Sequence, residues 1–195
     1  MRRIGVLGGT FNPIHIGHLV SAQIVCERLK LDKVIFVPSY LPPNKSRRNV
    51  IDAGHRYNMV RLAIKGNRHF EVSDFEIKRK GISYSIDTLE FFYNKFSCNI
   101  RLFFIIGADN LVELHTWRRI DDILKLATFV AVNRPGTGFT EGRIKVRTVD
   151  IPVLDVSSSS IRKRIAAGKT VRYLLPDAVI RYIQKYKLYL SKGAR

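Results

Sequence analysis

The feature that most constrains this chain lies between residues 4 and 18. Ile4-Gly5-Val6-Leu7 is a short apolar run that reads as a buried strand, and it stops at the pair Gly8-Gly9. A glycine pair lets the backbone turn sharply and approach a ligand closely. Thr10-Phe11-Asn12-Pro13 continues as a loop, because Pro13 cannot donate to a ladder and restricts Asn12 before it. His15 and His18 then bracket Gly17 where helical spacing begins. A strand, a glycine loop and a helix start in series leave helix N–H groups and the positive end of the helix dipole facing the loop. That is an anion site, and two histidines at its mouth can both donate to phosphate oxygens.

The next stretch of chain adds a helix and a second strand. Leu19, Ala22, Cys26 and Leu29 fall at helical spacing over residues 17–30, and Val34-Ile35-Phe36-Val37 is a second buried strand. A strand–loop–helix–strand unit starts a parallel sheet with a right-handed crossover. It puts the glycine loop at the carboxyl end of the first strand, where open α/β sheets bind ligands. Pro38 to Gly54 is a connection of about 17 residues, longer than most, which points to a functional loop. Its Lys45 is placed to swing towards the same ligand, although a surface lysine needs no such role.

Further on, the spacing predicts a helix over residues 55–65, a short strand at Phe70-Glu71-Val72, another at Phe75-Glu76-Ile77, and a helix over residues 86–96. Ile100 to Ile106 reads as a central strand ending at Gly107-Ala108-Asp109-Asn110, where a carboxylate could accept from ribose hydroxyls. A helix over residues 120–126, a strand at 129–132 and a weaker strand at 146–149 come next. Trp117, the single tryptophan, suits a core more readily than a ligand platform. Four consecutive serines, Ser157 to Ser160, then meet Ile161-Arg162. Serines cap helices, so a second anion site is expected there, with Arg162 one turn inside. In the tail, Pro176 stands near a helix start, with Val179, Ile183 and Tyr186 on one face against the sheet. Apolar strands alternating with helices give an α/β fold with a doubly wound parallel sheet, taken as a single domain over residues 1–195 whose part from about 158 to 190 is helical.

Composition narrows the function. The opening apolar run is far shorter than a secretory signal of roughly 7–15 residues or a membrane span of about 20, so a cytoplasmic location is expected. Cys26 and Cys98 are too few and too far apart for a disulfide framework or a metal knuckle. A net charge of +18 invites nucleic acid. The basic residues are scattered, however, with no zinc-finger spacing and no strand of interleaved aromatics, and a pocket for polyanionic small molecules fits them equally well. The glycine loop lacks the P-loop spacing Gly-x-x-x-x-Gly-Lys-Ser/Thr, and it also lacks Gly-x-Gly-x-x-Gly. His15 and His18 could ligate a metal, but no carboxylate or cysteine joins them at ligand spacing. The remaining chemistry is phosphate-group transfer by positioning and charge neutralisation, without a protein nucleophile.

Two blocks carry a resemblance. Gly9-Thr10-Phe11-Asn12-Pro13-Ile14-His15-Ile16-Gly17-His18 resembles the first motif of the nucleotidylyltransferase superfamily, and Ser157-Ser158-Ser159-Ser160-Ile161-Arg162 is similar to its second. Between them, Pro42-Pro43-Asn44-Lys45, Ser83-Tyr84-Ser85-Ile86-Asp87-Thr88, Ile106-Gly107-Ala108-Asp109 with Trp117, and Arg134-Pro135-Gly136 look like the bacterial nicotinate-nucleotide adenylyltransferases. The resemblance implies a Rossmann-like fold and AMP transfer from ATP to nicotinate mononucleotide, giving deamido-NAD and pyrophosphate. It implies that Gly8, Gly9, Thr10, Phe11, His15 and His18 hold the triphosphate, with Lys45 clamping it. Ser158, Ser159 and Arg162 would take the outer phosphates, and Gly107, Asp109 and Arg134 the rest of ATP. Ser85, Thr88 and Arg118 would receive the mononucleotide, with Trp117 stacked on its pyridine ring. Mg2+ would come with ATP and need no protein ligands. Asn12 stands where aspartate is usual, and Asn44 where histidine is common. Two other acceptors, nicotinamide mononucleotide and phosphopantetheine, and a role as a basic nucleic-acid-binding module are the rival readings; a homo-oligomer is compatible with all of them.

Overall fold

Side chains that alternate across parallel strands build the protein's core from both sides of one sheet. The computed structural model describes residues 1–42, 50–96, 99–108, 111, 113–133, 144 and 146–191. Six strands, β1 (Arg2–Gly9), β2 (Lys33–Pro38), β3 (Phe70–Val72), β4 (Ile100–Gly107), β5 (Ala127–Asn133) and β6 (Arg147–Asp150), pair in the order β3-β2-β1-β4-β5-β6, every pair parallel. Strands covered on both faces are apolar nearly throughout, which is why β1, β2, β4 and β5 are legible as unbroken runs. Their side chains divide by period two. Leu7, Phe36, Phe103, Ile105 and Val130 face one side, and Ile4, Val6, Ile35, Leu102, Phe104 and Phe129 the other.

On the first face lie α1 (Ile16–Arg28), α2 (Ala53–Ala63), α6 (Ser158–Ala166) and α7 (Asp177–Lys185), contributing Val25, Met59, Ile161 and Val179 to the core. On the second lie α4 (Ser85–Lys95) and α5 (Ile120–Leu126), contributing Leu89, Phe92 and Ile123. The sheet is thus doubly wound. None of the helices among the described residues is long and apolar enough to cross a membrane.

Two expectations need correction. Phe75-Glu76-Ile77 is not a strand but the first turn of a short helix, α3 (Phe75–Arg79). Phe75 stacks on Phe91 of α4, with ring centroids 4.0 Å apart, and Glu76 turns in towards Thr88. Three residues are too few to separate a period of 2 from one of 3.6, and contacts with α4 decide the matter. Tyr186 does not continue the buried face of α7. It lies at the C-cap, exposed, with its ring 5.1 Å from that of His55 on α2.

The topology locates the working end. β1 has β2 on one side and β4 on the other, so the chain winds outward from β1 in one direction and returns to wind in the other. Connections leaving β1 and β4 diverge to opposite faces and open a crevice at the carboxyl ends of the strands.

Gly5, midway along β1, tests the packing behind that crevice. A Cβ there would lie 2.8 Å from Leu31 Cδ1 and 3.1 Å from Ile105 Cδ1. Gly5→Val should destabilise the protein by about 1–3 kcal/mol, the usual range for overpacking a filled core. Urea denaturation measures it, and an unchanged midpoint would contradict the packing described.

Candidate active site

A cavity of about 1270 Å³ opens at the crevice. Its walls come from the loops after β1, β2 and β4, from the starts of α1, α4 and α6, and from the 3-10 turn Leu114–Thr116 with the two residues after it. Every described residue assigned to the site from sequence lines this one space. Gly8, Gly9, Thr10, Phe11, His15 and His18 line one part together with Ser158, Ser159 and Arg162, while Ser85, Thr88, Gly107, Trp117 and Arg118 line another. Lys45, Asp109 and Arg134 lie outside the described residues, as do Asn44 and Cys98.

The part under the glycine loop is built for anions. Phe11 is buried with a left-handed backbone, φ 47°, and its ring folds back over Gly9. A Cβ on Gly9 would stand 2.9 Å from that ring, so the turn needs glycine there. Phe11 also meets the His18 ring edge-on at 5.1 Å. His15 is the N-cap of α1, and the His15 and His18 rings stack with centroids 3.7 Å apart. His18 Nδ1 accepts the His15 backbone N–H at 3.2 Å. A neutral imidazole that accepts at Nδ1 carries its proton on Nε2, so the His18 ring is fixed as a donor through Nε2.

α6 brings a second helix start to the same place. Ser157 caps it, accepting the Ser160 N–H at 3.1 Å. The Ser158 hydroxyl donates to the Pro13 carbonyl at 2.8 Å, and Arg162 Nη1 donates to the Asn12 carbonyl at 2.9 Å. Both side chains therefore tie α6 to the loop after β1. Ser159 stays exposed at the cavity edge. Two positive helix ends, a pair of histidines and an arginine converge on one loop.

The other part is aromatic and hydroxylic. Trp117 is half-buried and meets Phe104 at 5.8 Å and Phe129 at 6.1 Å, edge to face, so it is both core residue and cavity wall. The Arg118 guanidinium lies 4.6 Å over the Tyr84 ring. Ser85 is the first residue of α4, whose N-terminus faces the cavity. The Thr88 hydroxyl does not point free: it donates to Glu76 Oε1 at 2.6 Å.

Residues 6–164 match the model of the cytidylyltransferase-like family. The chain belongs to this family. Within it, a protein of Thermoanaerobacter sp. (strain X514) named probable nicotinate-nucleotide adenylyltransferase is 48% identical, the match covering 96% of this chain and 94% of the relative. A protein of Clostridium tetani with the same name is 43% identical, over 97% of this chain and all of the relative. Among solved structures, the Plasmodium falciparum nicotinic acid mononucleotide adenylyltransferase complexed with NaAD superposes with a TM-score of 0.82 at 21% identity, covering 97% of this chain and 98% of that one. That likeness speaks for the fold, which is the family's.

Two residues that shape the family's cavity here carry no motif in the sequence. Arg56, on α2 and only 1% exposed, donates to three carbonyls: Thr10 at 2.7 Å, Ile51 at 3.1 Å and Tyr40 at 3.2 Å. Burial lowers its pKa from the ordinary guanidinium value, while Tyr189, Asp52 and Glu76 act in the opposite sense. The available signal is spacing: Arg56, Met59 and Val60 share the buried face of one helix. Glu76 is the other. It is buried on the cavity wall, hydrogen-bonded by Ser83 and Thr88, and Ser83 Oγ in turn accepts the Tyr40 N–H at 2.9 Å. Its expected place on a strand hides this inward turn.

Removing Arg56 leaves three carbonyls without this donor, and each unmet acceptor costs about 1–3 kcal/mol. Arg56→Met should therefore lose at least about 3 kcal/mol of stability in chemical denaturation; a loss near zero would mean that water replaces it. Glu76 gives a pH signature. Burial raises its pKa above the ordinary glutamate value, with the hydrogen bonds from Ser83 and Thr88 opposing. The folded state holds this proton to higher pH than the unfolded chain does, so the group's contribution is complete below the ordinary glutamate range and is lost as pH rises through the raised pKa. Glu76→Gln cannot ionise and should gain on the wild type as pH rises above the ordinary glutamate range and through the raised pKa. A stability difference that does not change with pH would contradict this.

Proposed function

We propose that the protein catalyses adenylyl transfer from ATP to nicotinate mononucleotide, releasing pyrophosphate and forming deamido-NAD. The observation that carries this reading is the convergence of the α1 and α6 N-termini, His15, His18 and Arg162 on the glycine loop, in a cavity that also holds Trp117 and the start of α4. The relatives at 42–48% identity, all named for this reaction, support the same choice of acceptor. An oxygen of the mononucleotide phosphate attacks the α-phosphorus of ATP, and the bond from that phosphorus to the bridging oxygen of the leaving pyrophosphate breaks. No protein nucleophile is required. The backbone at Gly8 to Phe11 and the two imidazoles hold the triphosphate and meet the charge that develops on the α-phosphate, where fixed donors are worth most. Arg162, the α6 N-terminus and Ser159 take the outer phosphates, and Gly107 lies against the nucleoside.

At the acceptor end, Trp117 offers a flat face to the pyridine ring. The N–H groups at the start of α4, beside Ser85, suit a ring carboxylate better than an amide. Thr88 acts by holding Glu76, and Arg118 by bracing Tyr84. By resemblance, Lys45 clamps the phosphates and Asp109 and Arg134 contact the rest of ATP. Among the described residues, no cluster of three or more His, Cys, Asp or Glu could hold a metal ion. By resemblance, the Mg2+ that accompanies ATP would be carried on its phosphates and on water, as this cation often is.

Pyrophosphate release from ATP, with nicotinate mononucleotide, nicotinamide mononucleotide and phosphopantetheine offered separately, tests the reading. Release with the first in clear preference is expected; release with none of them would overturn it, and steeply salt-dependent RNA binding would then favour a nucleic-acid role. His18→Ala should lower turnover at least about a hundredfold, as losing a transition-state donor does, without a matching loss of stability. Trp117→Ala should raise KM for the mononucleotide and leave that for ATP little changed; the reverse would mean that the two ends of the cavity are exchanged.

A further inference from the structure

After α7 the chain turns back beneath the phosphate loop, in a conformation that few sequences adopt without a reason. Lys187 and Tyr189 both have left-handed backbones, φ 49° and 65°, and neither is glycine. Such residues are uncommon and persist where the surroundings hold them. Between them Leu188 is buried in the sheet-face core, with its N–H on the Ile183 carbonyl at 3.0 Å. The two turns thereby aim the Tyr189 side chain inward. Its hydroxyl donates to Asn12 Oδ1 at 2.8 Å, across 177 residues of sequence.

Asn12 is only 4% exposed, and its backbone carbonyl is the acceptor for Arg162 Nη1. One residue of the loop thus receives the C-terminal segment on its side chain and the arginine of α6 on its main chain. Arg56 grips Thr10 on one side and Ser158 grips Pro13 on the other. Of these four donors, Tyr189 alone reaches a side chain, and it alone can be deleted without altering α2 or α6. Burial raises the pKa of its hydroxyl strongly, outweighing the opposite pull of Arg56 and Arg162, so the group stays protonated and remains a donor.

We propose that Tyr189 is a positioning residue for the triphosphate site, acting through Asn12 to set the loop after β1 and the Arg162 side chain that rests on it. This rests on the reading that ATP phosphates bind at that loop. The C-terminal segment is then part of the nucleotide site, although its backbone lies beyond the last helix.

The test compares wild type, Tyr189→Phe, Asn12→Ala and the double variant. ATP affinity is read by calorimetry without acceptor, KM for ATP and for nicotinate mononucleotide by pyrophosphate release, and melting temperature alongside. Tyr189→Phe keeps the ring and its packing. It should weaken ATP binding and raise KM for ATP about fivefold, the scale of one hydrogen bond. KM for the mononucleotide should change less than about twofold, and the melting temperature by no more than the roughly 2–4 °C that such a bond represents in a chain of this size. In the Asn12→Ala background the same substitution should have no further effect. Unchanged ATP affinity in Tyr189→Phe overturns the proposal, as does an equal loss in the Asn12→Ala background. So does a fall in melting temperature with both KM values rising together, which is the mark of a purely structural tyrosine. If the wild type binds ATP but transfers to no acceptor, the proposed reaction fails while the ATP titrations still decide the role of Tyr189; if it binds no ATP, both fail.

Discussion

A buried guanidinium holds the working end of this protein together. Arg56 reaches from α2 to carbonyls on the loop after β1, on the loop after β2 and just before α2 itself. Those carbonyls lie on the connection after β1 and near both ends of the connection from β2 to α2, and none belongs to the sheet ladder. A charged group at 1% exposure is tolerable because its donors meet three carbonyl oxygens. With Arg162 on Asn12 and Ser158 on Pro13, the loop turns its carbonyls towards protein donors. Its remaining backbone and the two helix starts are left to face an anion. The proposed phosphate site is in that sense made by cations and hydroxyls behind it as much as by those within it.

The acceptor side is built on a different principle. There the wall is a hydroxyl relay, from the Tyr40 N–H to Ser83, from Ser83 to Glu76, and from Thr88 to the same carboxyl. The Leu41–Ile82 bridge, with the Ser83 N–H on the Leu41 carbonyl at 2.9 Å, fastens the loop after β2 to the segment before α4. Aromatic packing through Phe104, Phe129 and Trp117 connects this wall to the sheet itself. The two ends of the cavity thus share one crevice but differ in charge and in what supports them.

Much of this is legible in the chain, for physical reasons that differ by element. The central strands announce themselves because both their faces are buried, and the helix starts do so through His15, Ser157 and Pro176. Residues assigned to ligand contact from sequence fall within short motifs, and those that are described line one cavity. Arg56 and Tyr189 are not legible, because each acts on a partner distant in sequence, over 46 residues for Arg56 and Thr10 and 177 for Tyr189 and Asn12, whereas Glu76, whose partner Thr88 is 12 residues away, is hidden by its expected place on a strand. Ser158 illustrates the same limit: its position at the start of α6 can be read, but not that its hydroxyl turns to Pro13. Phe75 to Ile77 reads wrongly as a strand because so short an apolar stretch carries no period of its own.

The direct test is a crystal structure of the protein with deamido-NAD bound. The central claim requires the adenylyl phosphate within hydrogen-bond distance of His15, His18 and the glycine loop, and the pyridine ring against Trp117 with its carboxylate at the start of α4. A dinucleotide lying in the opposite sense, its adenine on Trp117 and its nicotinate carboxylate beside Arg162, would contradict it.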